Sequence, residues 1–180
     1  MSILKVSQMG HPVLRRVAEP VDPEQIQADA FQRFIVDLRE TMAAYQGVGL
    51  AAPQVHVSNR VLVYLAMGEE DRDPEVLVLV NPVIEPMGDE MESSWEGCLS
   101  IPDIRGLVSR HSQIKVTALD DTGQDVSYVA RDFEARVIQH EVDHLDGILY
   151  LDRMDDLATL SFQAEYDTFW ARDEDEDDSE

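Results

Sequence analysis

Residues 139–147 read QHEVDHLDG, Gln139 to Gly147, and their spacing decides what the rest of the chain has to build. Positions four apart share one face of an α-helix, so His140 and His144 aim two imidazoles at a single point with Glu141 beside it. The pattern is HExxH. Its histidines hold a divalent ion, and its glutamate handles protons for water activated by that ion. The plain alternative is a polar helix that carries two histidines by accident, and the remaining residues decide between them.

With 180 residues, 44% of them apolar, the chain has enough material for one domain with a proper core. No run approaches the eighteen or so apolar residues that cross a bilayer. The opening residues MSILKVSQMGHPVLRR lack the apolar stretch and small-residue cleavage site of a secretion signal, so a cytoplasmic protein without a membrane partner is expected. A net charge of −23 repels polyanions, so direct nucleic-acid binding is not expected. Seven of the last ten residues, ARDEDEDDSE, are acidic. That composition predicts a disordered tail over 171–180 behind a single domain over 1–170.

Residues 1–21 look like an arm laid across a domain, with little chemistry expected in it. Asp22-Pro23 offers a helix start, and Asp29 with Gln32 a capping box for a longer helix. Phe31, Phe34, Ile35, Leu38, Met42 and Tyr45 then follow helical spacing, which marks a core stripe. That helix is expected to stop at Gly47. Residues 47–54, GVGLAAPQ, describe a backbone that lies close to something, although taken alone they also suit a tight helix-to-strand connection. Strands are predicted at Arg60–Met67, Val76–Val80, Glu90–Trp95, Ile114–Leu119 and Asp125–Ala130, the last two joined by an Asp121-Thr122-Gly123 turn. Asp132 can cap the HExxH helix, Phe133, Val137, Ile138 and Leu145 form its buried side, and Gly147 can end it. Leu157–Trp170 reads as a last helix on the outside. The fold class that follows is α+β, mainly antiparallel sheets around a central HExxH helix, with a C-terminal helix.

Two histidines do not hold a catalytic ion securely, and hydrolytic sites use a third protein ligand. The extension HExxHxxGxxH fails here, because Gly147 falls in place but Tyr150 stands where the third histidine would be. Glu165, on the predicted last helix, would serve an HExxH peptidase. Cys98 is the other candidate, since a thiolate is a strong ligand for zinc or ferrous iron.

GVGLAAPQ, EGCLS at 96–100 and QHEVDHLDG, in that order, resemble the three signature motifs of the peptide deformylases. The resemblance runs from about residue 3 to Met154. It implies that Cys98, His140 and His144 bind the metal, ferrous iron replaceable by zinc, nickel or cobalt. It further implies that Glu141 is the general acid and base, and that Gln54 with the backbone N–H of Leu99 stabilises the oxyanion. Water activated beside the ion would attack the formyl carbon of N-formylmethionyl peptides and nascent chains, releasing formate. Val48, Gly49, Gly97 and Val137 would hold the substrate, with Glu96 and Arg105 nearby. Arg136 stands where some members carry an apolar residue, and His56 where many carry glycine. His11 and His111 receive no role.

Overall fold

Strong two-residue alternation over 113–131 closes the most regular piece of the fold, a hairpin turning through Asp121-Thr122-Gly123. The turn is locked by Asp120, whose carboxylate accepts from the backbone of Thr122 and Gln124. The computed structural model describes residues 2–66 and 74–171. The elements are α1 (Asp29–Ala44), β1 (Gly49–Ala51), β2 (Val61–Ala66), β3 (Glu75–Pro86), β4 (Met91–Cys98), β5 (Ile101–His111), β6 (Gln113–Leu119), β7 (Asp125–Arg131), α2 (Asp132–Leu145), β8 (Ser161–Phe162) and α3 (Gln163–Phe169).

Two antiparallel sheets result, one in the order β1-β2-β3-β6-β7 and one in the order β4-β5-β8. Helix α2 carries the HExxH residues and packs against strands of both sheets. From Ala135 to Leu145 every residue of α2 is buried, as a central helix requires. Tyr64, Leu62 and Ile114 of the large sheet meet Ile138 and Leu145 of α2, while Ile35, Leu38 and Met42 of α1 fill the opposite face. Fully burying an Ile or Leu side chain stabilises by about 1.5–3 kcal/mol, so these side chains fix where α2 lies. Gly147 ends the helix with φ +73°, and a side chain there would strike the backbone of Arg15 at 2.9 Å.

The structure changes several expectations. Asp29 is the first helical residue instead of the cap. Ala28 holds the cap position without a side-chain bond, and the Gln32 amide reaches the carbonyls of Ile26 and Asp121. The Asp22-Pro23 start yields only a three-residue 3-10 turn, capped by Asp22. Helix α1 ends at Ala44, and Gln46, not Gly47, adopts the left-handed conformation (φ 56°). Tyr45 leaves the core and is exposed. Strand β3 runs on through Pro82, because a bulge at Asn81 (φ 53°) absorbs the proline. Strand β5 was hidden by Pro102, Asp103 and Gly106. Asp132 starts α2 with φ 49° and caps nothing, and Phe133 is half exposed. Leu157–Trp170 is not one helix: a 3-10 turn and β8, paired to β5 at Ile104 and Arg105, precede α3. The acidic turn after β2 and the run beyond Ala171 lie outside the described residues.

Candidate active site

The three sequence motifs meet at the junction of the two sheets. Strand β1 ends the order of one sheet and β4 that of the other, so each offers a backbone edge to the cleft between them. The cleft has a volume of about 530 Å³ and includes Val48, Gly49, Gln54, Gly97, Cys98, Leu99, Val137, His140 and Glu141 in its walls. His144 lies beneath, fully buried. Every residue singled out in the motifs is therefore gathered here, although they come from three separate parts of the chain.

The donor atoms of Cys98, His140 and His144 lie within 4.8 Å of one another, and Cys98 Sγ is 3.2 Å from His144 Nε2. Glu96 accepts from His140 Nδ1 at 2.9 Å, which turns the free Nε2 lone pair toward the cluster. One sulfur and two imidazole nitrogens make a donor set that suits zinc or ferrous iron. The buried Oε2 of Glu141 and Nδ1 of His144 have no hydrogen-bond partner among the described residues. The orphaned Glu141 oxygen beside a sulfur and two rings fits a site built around an ion and water, whereas His144 Nδ1 lies on the side of its ring away from the Nε2 that faces Cys98. Glu165, by contrast, is exposed on α3 and belongs to no such cluster. The peptidase arrangement is therefore not built.

Charge behind the three donor residues is organised by three arginines. Arg110 donates to both oxygens of Glu96 (2.8 and 2.9 Å) and to Asp143 (2.6 Å), with all three side chains buried. Arg136 adds a bond to Glu96 at 3.0 Å and donates to the carbonyls of Val108 and Glu92, so its guanidinium is held by these acceptors at the wall of the cleft. Arg153 reaches Asp143 from the surface. Burial opposes ionisation of Glu96, yet bonds from Arg110 and His140 hold its carboxyl well below the usual range. It therefore stays an acceptor and fixes the His140 tautomer. For His140 itself burial opposes protonation, and Cys98 and Glu96 outweigh it, raising its pKa. His144 moves down, through burial and then the charge of His140. Burial pushes Glu141 up to about 7, with His140 opposing, which leaves a carboxyl group able to take and return a proton near neutrality.

Arg110 and Asp143 were not picked out from the sequence. A signal was available for the first: Gly106, Val108 and Arg110 are the buried alternate positions of β5, so a strand reading of 101–111 would have turned that arginine inward. Replacing Arg110 with Met is expected to cost about 3 kcal/mol in a urea or thermal unfolding experiment, the low end for breaking a buried ion pair, because Glu96 and Asp143 each lose one arginine and keep another, Arg136 and Arg153. Arg153→Ala, at a side chain 47% exposed, should cost under about 1 kcal/mol in the same measurement.

Gln54 is 1% exposed, so it is no loop amide facing solvent. Its Oε1 accepts from the Ala51 N–H at 2.7 Å, which turns Nε2 toward Ser100 Oγ (3.2 Å) and Cys98 Sγ (3.6 Å). The N-terminal arm does contribute. Ser7 donates its N–H and its hydroxyl to the Gln54 carbonyl, and the Met9 N–H bonds the Ser100 carbonyl. Gly49 is required by contact, since a Cβ there would lie 2.5 Å from Glu141 Oε1 and 2.8 Å from its Cγ. Gly49→Ala is expected to displace that carboxylate and reduce turnover by roughly a hundredfold, with melting temperature little changed. His56 is exposed in the left-handed region and stacks edge-on with His11 away from the cleft, and His111 borders a separate cavity of about 230 Å³.

The family described as polypeptide deformylase matches residues 3–159. The chain belongs to that family. It is 44% identical over 177 residues to peptide deformylase 1 of Prochlorococcus marinus, covering 93% of this chain and 89% of that one. A class I type b peptide deformylase from Acinetobacter baumannii, solved with Met-Ala-Ser bound, superposes with a TM-score of 0.79 at 38% identity, over 85% of this chain and 99% of the other. The peptide deformylase of Thermotoga maritima gives 0.77 at 36% identity, over 87% and 100%. Deformylases are metalloenzymes, in keeping with the sulfur and imidazole donors gathered here. Among the described residues no helix is long and apolar enough to cross a membrane.

Proposed function

We propose that this chain hydrolyses the formyl group from the N-terminal formyl-methionine of newly made proteins, with Cys98, His140 and His144 holding one divalent ion. The observation that carries the reading is the convergence of three donor atoms from β4 and α2 within 4.8 Å, beside a buried carboxylate. Ferrous iron is the metal we assign in the cell, with zinc, nickel or cobalt able to replace it, on the strength of the deformylase motifs, and the mixed thiolate and imidazole donors suit it. An ion held there acts as a Lewis acid, polarising a carbonyl oxygen and making water acidic near neutral pH.

Glu141 takes the proton of the attacking water on its unpartnered Oε2 and returns it to the departing amine. Gln54 Nε2 and the Leu99 N–H donate to the oxygen of the formyl group as negative charge develops on it. The bond between formyl carbon and nitrogen breaks, leaving formate and a free α-amino group. The peptide backbone pairs between the edges of β1 and β4, at Val48, Gly49 and Gly97. Its methionine side chain fills the space bounded by Val48, Val137 and the His140 ring. Residues 1–170 then act as one catalytic domain, working on nascent chains in the cytosol, where a reducing environment keeps Cys98 reduced and able to serve as a thiolate ligand.

The test is formate release from formyl-Met-Ala by anaerobically purified protein, with its metal content measured in parallel. One equivalent of a divalent metal and formate release that stops after chelation are expected. A protein that holds its metal and leaves the formyl peptide intact would overturn the reading.

A further inference from the structure

The family match ends at residue 159, yet Gln163, four residues further on, lines the cleft. Strand β8 pairs beside Arg105, and α3 folds back over the face of the small sheet that carries Trp95, Gly97 and Arg105. Gln163 Oε1 accepts from Arg105 Nε at 2.7 Å and itself lines the cleft. The Arg105 guanidinium lies 5.1 Å from the centre of the Tyr166 ring. The Trp95 ring sits 5.0 Å from Tyr166 and 5.6 Å from Trp170. A Cβ on Gly97 would lie 3.6 Å from Arg105 Cζ, so this guanidinium crosses β4 toward its free edge. The C-terminal segment therefore fixes, from behind, two side chains that face the cleft.

We propose that β8 and α3 are a specificity element that holds Trp95 and Arg105 as a platform for the third and later residues of the peptide. The proposal rests on the deformylase reading above and deepens it. Trp95 lies two residues, about 7 Å, along β4 from Gly97, where the peptide backbone pairs. Formyl-Met-Ala ends before that point, whereas a tetrapeptide passes it. The aromatic face of Trp95 and the guanidinium edge suit apolar side chains and backbone carbonyls together, so the platform reads length more than a single side chain.

The experiment compares formyl-Met-Ala with formyl-Met-Ala-Ser-Leu on the metal-loaded full chain, its Trp170→Ala variant and its Trp170→Phe variant. Trp170 is outside the cleft wall and half exposed, and its ring packs on Trp95. Trp170→Ala is expected to raise KM for the tetrapeptide roughly three- to tenfold, with kcat and the constants for formyl-Met-Ala within about twofold of wild type. Trp170→Phe should restore the wild-type KM. The chain has two tryptophans, Trp95 and Trp170, so intrinsic emission gives a reading that needs no turnover. It should shift on titration with Met-Ala-Ser and stay constant with free methionine. Equal changes in KM for both peptides, no change for either, or emission indifferent to Met-Ala-Ser would overturn the platform while leaving the deformylase reading intact. Formate release from neither peptide by the wild type would remove that reading, and the platform with it.

Discussion

Glu141→Gln is expected to lower formate release from a formyl-Met peptide by roughly a thousandfold, within the span that a positioned acid and base contributes. The substitution keeps the volume that packs over Gly49 and removes only the capacity to accept a proton. Glu141 is 4% exposed, and among the described residues its Oε2 has no partner, so no other protein group stands ready to take the role. Metal content should stay at the wild-type level, because the donor atoms belong to Cys98, His140 and His144. Elemental analysis beside steady-state kinetics checks both halves. A variant that loses its metal would move Glu141 from proton transfer to ion retention, and one that keeps full turnover would remove it from the chemistry.

The second large effect concerns Cys98. Cys98→Ala leaves two rings to hold the ion, and the loss of affinity should exceed the roughly 10–100-fold that outer hydrogen-bond partners of a metal ligand cost. Dialysed protein is then expected to carry far less than one equivalent of metal and to release no measurable formate. The fold should survive, since Cys98 is only partly buried at the end of β4 and its neighbours Glu96 and Arg110 keep their bonds. Glu165→Ala serves as the control. From an exposed place on α3 it should leave metal content and turnover unchanged. Retention of the metal by Cys98→Ala would sink the three-donor site.

Much of this site was legible in advance because its chemistry is local in sequence. The HExxH spacing is read directly off one helix face, whereas the resemblance of EGCLS to a deformylase motif is what singles out Cys98 over Glu165, and the donor atoms of Cys98, His140 and His144 lie within 4.8 Å of one another. The regular hairpin of β6 and β7 was equally plain from alternation. What stayed hidden depends on long-range contact. Arg110 serves the site only because β5 turns it toward Glu96 and Asp143, and β5 is broken by residues that usually interrupt strands. Asn81 lets β3 continue past Pro82 by a backbone bulge that no composition signals. Apolar spacing over 157–170 suggested one helix, but pairing of Ser161 and Phe162 with β5 captured the first part as strand. Gly49 is a case between the two, since its motif marked it while the reason, the Glu141 carboxylate pressed against it, appears only in three dimensions.

The N-terminal arm ties together two loops that approach from different sheets. Ser7 grips the carbonyl of Gln54, and Met9 grips that of Ser100, two residues beyond the thiol. The arm thus works as a latch, and its release should silence the enzyme before the sheets melt. Nicking the chain near residue 10 with a protease would then abolish turnover while the circular dichroism of the body stays native.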